Sequence, residues 1–121
     1  MPSPIVFFDI AAPKETNISD FYSEIFAWKK DSNGNLSVPI IPSTNDSQKL
    51  IGTIRQDPVE KLLYIGVLDI NETLKNIVEH GGSVDQSRFE VPNLVILALF
   101  KDPAGNRQGL VEIDNDKIKI P

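Results

Sequence analysis

Apolar and polar positions along this chain follow two periods, and the switches between them mark out the elements. Ile5-Val6-Phe7-Phe8-Asp9-Ile10 is β-branched and aromatic, lies between Pro4 and Pro13, and predicts a buried strand. Apolar residues then recur at Ile18, Phe21, Tyr22, Ile25 and Phe26, the stripe of a helix over about Glu15 to Ala27 with one face on a sheet. An aromatic stripe at this spacing reads as core. Trp28 to Lys30, a polar turn with Asn33-Gly34 at its tip, and Leu36 to Ile41 predict strand, turn, strand. Pro39 and Pro42 cannot donate to a ladder, which places this pair near an edge or bulge. Ser43 to Gln48 reads as a loop, Leu50 to Arg55 as a fourth strand, and Gln56 to Glu60 as a linker.

The same order of elements then repeats. Leu62 to Val67 is a strand; Asn71 is placed to cap a helix over Glu72 to His80, with Leu74, Ile77 and Val78 inward; and Gly81-Gly82 ends it. Ser83 to Phe89, Leu94 to Lys101 and Gln108 to Ile113 predict three more strands, and 114–121 carries no pattern and reads as an extension. The turn Asp102-Pro103-Ala104-Gly105-Asn106 makes a hairpin of the last two, since Gly and Asn take positive φ readily. The repeat has a register: Ile5 to Leu62 is 62 − 5 = 57 and Gly52 to Gly109 is 109 − 52 = 57. The expectation is an α+β fold of two tandem βαβββ modules, about 4–56 and 61–113, in one domain spanning 1–121. Helices on one face of each sheet leave the other face to be covered by its twin or by a ligand.

Composition narrows the chemistry. A chain of 121 residues buries roughly two-thirds of its unfolded surface and folds without staples. With no cysteine, disulfides, thiolate metal sites and cysteine nucleophiles are excluded. A net charge of −5 without a Lys/Arg cluster argues against nucleic acid. No apolar stretch is long enough for a signal peptide or a membrane span, so a cytoplasmic location is expected. Four Asn-X-Ser/Thr matches, at Asn17, Asn35, Asn45 and Asn71, then read as chance in an Asn- and Ser-rich chain.

Several stretches in order resemble one family. They are Phe8-Asp9-Ile10 followed by Phe21 to Trp28; Leu50-Ile51-Gly52-Thr53-Ile54-Arg55; Tyr64 to Ile70 with Gly81-Gly82 after the helix; and Asp102 to Asn106. Together they resemble the vicinal oxygen chelate superfamily, also called the glyoxalase/bleomycin-resistance/extradiol-dioxygenase superfamily, and within it the small single-domain glyoxalase-like members. The resemblance implies modules that curl into a cup-shaped, partly open β-barrel, usually completed by a second subunit. Metal-dependent members bind a divalent ion there through His, Gln or Glu on the first and fourth strands of each module. By motif register those positions are Ile5, Gly52, Leu62 and Gly109, none of which can coordinate a metal. No cofactor is expected.

The remaining candidates are few. His80, the single histidine, sits at a helix end and reads as a solvated residue there rather than a ligand. Alternation puts Asp9 on the face of Ile5 and Phe7, hence toward the cup, where it would bind a ligand cation, act as an acid/base, or be tied to a neighbouring loop; Glu112 falls on the face opposite Gly109 and Val111. Arg55, Arg88 and Arg107 read as solvated surface charges rather than anion contacts. A Ser-His-Asp triad lacks its elbow, and Gly81-Gly82 follows a helix rather than opening one, so it is no phosphate loop. Phe7 and Tyr64, by strand parity, and Trp28 are candidate lining residues, or else simply fill the core. Three readings follow: a metal-free protein that binds a small organic molecule in an apolar cup; a lyase or isomerase with Asp9 as acid/base or with atypical metal ligands; and a non-catalytic interaction module. A homodimer is expected in each, because a sheet face or edge is left for a symmetric partner to cover.

Overall fold

The computed structural model describes residues 2–13, 17–40, 48–115 and 117–121. Its elements in order are β1 (Ile5–Ala12), α1 (Ile18–Phe26), β2 (Lys29–Lys30), β3 (Leu36–Pro39), β4 (Lys49–Gln56), β5 (Glu60–Val67), α2 (Ile70–Glu79), β6 (Ser83–Val91), β7 (Val95–Lys101), β8 (Arg107–Asp114) and β9 (Lys117–Ile118). The predicted loop over Ser43 to Gln48 lies outside the described residues except at its last position, as do Pro42 and the first turn of the predicted first helix. The chain divides into two compact units, Phe7–Leu62 and Leu63–Pro121, the latter taking in the residues up to Val6. Residues 4–6, expected in the first module, therefore belong with the second unit.

The duplication is plain in the strand order. In the first unit the order is β2-β3-β4-β1 and in the second β6-β7-β8-β5, each an open ladder. In both, the first and fourth strands pair in parallel and the other pairs are antiparallel. The register corrects the expected spacing. Phe8 lies opposite Gly52 and Tyr64 opposite Gly109, so the fourth strands differ by 109 − 52 = 57 but the first strands by 64 − 8 = 56. Leu62 therefore corresponds to Val6, not Ile5.

In the second unit α2 buries Leu74 and part of Ile77 as its pattern predicts, but Val78, expected inward, is 53% exposed and Ile70 takes its place in the core. Ile70, Leu74 and Ile77 pack on Ile65 and Val67 of β5, Ile96, Ala98 and Phe100 of β7 and Leu110 of β8. Its cap is Asp69, not Asn71: the helix starts one residue earlier, and the Asp69 carboxylate accepts the Glu72 amide at 3.1 Å. His80 is the C-cap, Gly81 has φ +94, the Gly81 amide donates to the Val78 carbonyl and the Gly82 amide to Ile77, which makes a Schellman motif. Asn115 (φ +60) turns the chain so that β9 pairs with Ile113–Asp114, so the tail is a short strand rather than a featureless extension. The expected linker dissolves likewise: β4 runs through Gln56, β5 begins at Glu60, and the Asp57 amide donates to the Ala12 carbonyl.

The first unit departs from expectation at α1. Asn17 caps it and Ala27 ends it at φ +60, but the aromatic stripe is not core: Phe21, Ile25 and Phe26 are 56%, 62% and 54% exposed. The helix meets the β2–β3 hairpin through polar contacts, beside the packing of Tyr22 on Trp28. The buried Ser19 hydroxyl donates to the Gly34 carbonyl at 2.7 Å, and Asp20 is ion-paired with Lys30. Pro39 sits where the sequence puts it, beyond the two residues of β3 that β2 covers, so its missing N–H faces an open edge.

Candidate functional site

The positions at which a metal-dependent relative would carry donors are held by hydrocarbon and bare backbone, and in each unit an aromatic ring closes over the glycine. In the first unit the Phe8 ring lies over Gly52; in the second the Tyr64 ring lies over Gly109. A Cβ on Gly52 would stand 2.2 Å from the Phe8 ring and one on Gly109 2.3 Å from the Tyr64 ring, closer than any real contact. Strand parity predicted Phe7 as the counterpart of Tyr64; the register makes it Phe8. Val6 and Leu62, equivalent in that register, offer no donor either, and Ile5 is half-exposed hydrocarbon. Among the described residues no three His, Cys, Asp or Glu side chains converge to hold an ion. The donor set does not fit the divalent metal that the fold family implies.

Asp9 is 6% exposed and is tied across to β4. Its two carboxylate oxygens accept from Arg55 Nε at 2.9 Å and Thr53 Oγ1 at 3.0 Å. Its counterpart by register, Ile65, packs toward α2, and the Asp9 carboxylate is held in an ion pair with Arg55. Arg55 is a hub rather than a solvated charge, because it also donates to Asp57 at 2.7 Å and to Glu60 at 2.9 Å. Partial burial would lower its pKa, but the bonds to Glu60, Asp9 and Asp57 win and raise it above the ordinary arginine value.

The second unit has a pair of its own. Glu112, 6% exposed, faces α2 as alternation predicts, accepts the Ile70 amide at 3.3 Å and receives Arg88 Nη2 at 3.1 Å. It offers a negative charge to the helix start and fastens β8 to β6. Arg107 donates to Asp85 at 2.7 Å, which holds the Asp85 carboxyl below its usual range. All three arginines expected in solvent are thus partnered. His80 is spent locally, with Nδ1 2.8 Å from the Asn76 carbonyl oxygen.

Trp28 belongs to an aromatic array in the first unit. It stacks on Tyr22 at 5.4 Å and 8°, meets Phe26 at 5.5 Å and Phe8 at 6.4 Å, while Phe21 stands edge-on to Tyr22. The sequence named Phe7, Asp9, Trp28 and Tyr64 together; within the first unit the structure joins Trp28 to Phe8 and Asp9 to Arg55. Phe8, Tyr22 and Phe26 were missed as members of one group with Trp28, although the i, i+4 spacing of Tyr22 and Phe26 was visible.

No protein-family model matches the sequence, and no curated protein matches it. Solved structures do match over nine-tenths or more of the chain. A methylmalonyl-CoA epimerase in complex with methylmalonyl-CoA and NH4+ is similar at TM-score 0.66 and 14% identity, covering 100% of both chains. A Streptomyces coelicolor methylmalonyl-CoA epimerase variant in complex with 2-nitronate-propionyl-CoA is similar at 0.64 and 14%, covering 93% of this chain and 98% of its own. The Mycobacterium tuberculosis methylmalonyl-CoA epimerase gives 0.57 and 10%, covering 91% and 87%. The fold is the glyoxalase/bleomycin-resistance fold. These epimerases are isomerases of the vicinal oxygen chelate superfamily, and what this chain has in common with them is the fold. Among the described residues no helix is long and apolar enough to cross a membrane.

Proposed function

We propose that this chain uses the glyoxalase/bleomycin-resistance fold without a metal, to bind a small organic molecule through apolar and aromatic contacts. The observation that supports this reading most is the chemistry of the donor positions: glycine and aliphatic side chains stand where an ion would need oxygen or nitrogen, and the nearby carboxylate, Asp9, is neutralised by Arg55. A partly exposed aromatic array on Trp28 is the kind of surface such a ligand uses. The protein would act as a homodimer. The test is thermal unfolding against a panel of aromatic and aliphatic organic compounds, with and without a chelator. At 100 times its Kd a ligand adds about 2.7 kcal/mol, and the shift should be indifferent to the chelator. A panel that shifts nothing, or a shift abolished by chelation, contradicts the reading.

The likeness to epimerases over the full chain favours a second reading, that the chain is an isomerase. Abstraction of a proton next to a carbonyl needs a base that reaches the substrate, and Asp9 is 6% exposed with its carboxylate held by Arg55 and Thr53. NMR of methylmalonyl-CoA in D2O with the purified protein separates the two: loss of the signal of the hydrogen between the carbonyls supports the isomerase, and its persistence supports the binder.

A further inference from the structure

We infer that Phe8 and Tyr64 are the residues that exclude an ion from this fold, each ring standing, inside its own unit, where a donor from the fourth strand would project. The missing donors are half of the change; the other half is that their space is filled. Gly109 lies directly across the parallel pair from Tyr64, and the Cδ1–Cε1 edge of the phenol overlies its α-carbon so closely that even one methyl group has no room. Tyr64 is buried, with the fully buried Val111 next on the Gly109 face, so the ring cannot swing aside into solvent. Gly52 meets the far end of the Phe8 ring, and Phe8 is only half-buried, so that ring has more freedom to yield.

The same cross-strand step occurs independently in both units, with a residue change in the ring and a one-residue difference in spacing between them. A glycine kept for mere tolerance would not be matched twice by an aromatic at its paired position. In each unit the ring ties the first strand to the fourth by contact, where an ion would tie them by coordination. Glycine is required there by the close approach of the ring, not by backbone conformation, since neither Gly52 nor Gly109 has positive φ. This holds whether or not the ligand proposed above is found, because it concerns what fills the donor positions and not what the protein binds.

A double-mutant cycle in urea tests it. Gly109→Ala in the otherwise unchanged protein should lower the folding equilibrium constant roughly 10- to 100-fold, the range for overpacking a tight core. In the Tyr64→Ala background the same substitution should change it within about twofold, the scatter of independent sites. Equal losses in both backgrounds would overturn the inference. If Tyr64→Ala does not fold, Tyr64→Leu supplies the background, with the same two outcomes. Gly52→Ala, set against the more mobile Phe8, should cost less than Gly109→Ala; a larger cost at Gly52 would overturn the assignment of the tighter closure to Tyr64.

Discussion

Two aspartates show how far a single side chain organises this chain. Asp102 accepts the amides of Ala104 and Asn106, each at 2.9 Å, and the Asn106 side chain at 2.9 Å, while Gly105 turns at φ +94. Asp31 does the same work in the other unit: its carboxylate accepts the Asn33 amide at 2.8 Å and the Asn35 amide at 2.9 Å, and Gly34 turns at φ +84. The shared letters, Asp-x-x-Gly-Asn at 31–35 and 102–106, read as turns in both places, but on their Gly and Asn residues rather than on the aspartate that ties each one. The Asn106 side chain first, then the Asn106 backbone amide, holds the Asp102 carboxyl below its ordinary value of 3.8. A depressed folded-state pKa means that the unfolded chain takes up the proton first, so the stability this group supplies is complete above its unfolded pKa and is lost as pH falls through its folded one. Asp102→Asn should therefore flatten the acid limb of stability below about pH 4, read as the urea midpoint against pH; an unchanged acid limb would count against the turn account.

At the scale of elements, period and caps carried most of the reading. Most of the α2 stripe, its glycine stop and the succession of helices and strands along the chain could be read because each is a local pattern: side chains three or four apart share a helix face, and residues two apart share a strand face. α1 shows the limit. Its stripe satisfies the same pattern, yet Phe21, Ile25 and Phe26 meet solvent, and the helix is held by Tyr22 on Trp28 together with Ser19 on Gly34 and Asp20 on Lys30, the last two across 15 and 10 residues that no period reports. Ile25→Ser should shift stability by no more than about 0.5 kcal/mol, as exposed substitutions do. Leu74→Ala in the buried face of α2 should cost about 2–5 kcal/mol. Chemical denaturation of the two variants checks the contrast, and an Ile25→Ser cost near that of Leu74→Ala would show that α1 is covered.

Over the whole molecule, the duplication was legible and the candidate site was only partly so. The paired βαβββ order follows from element sequence alone. What the letters could not give was the one-residue difference between the first strands, which moves Phe8 into the place assigned to Phe7, and the partner of Asp9, which lies 46 residues away on β4. Both depend on strand pairing, and a shift of one residue in pairing turns every side chain to the other face. The central proposal is that in this glyoxalase/bleomycin-resistance fold the chain's own rings fill the space an ion would need. The direct measurement is metal content per chain after equilibrating the purified protein with Zn²⁺, Ni²⁺ and Mn²⁺ in turn and removing free ion. The account predicts far less than one ion per chain for each metal; one tightly held ion per chain for any of them would contradict it.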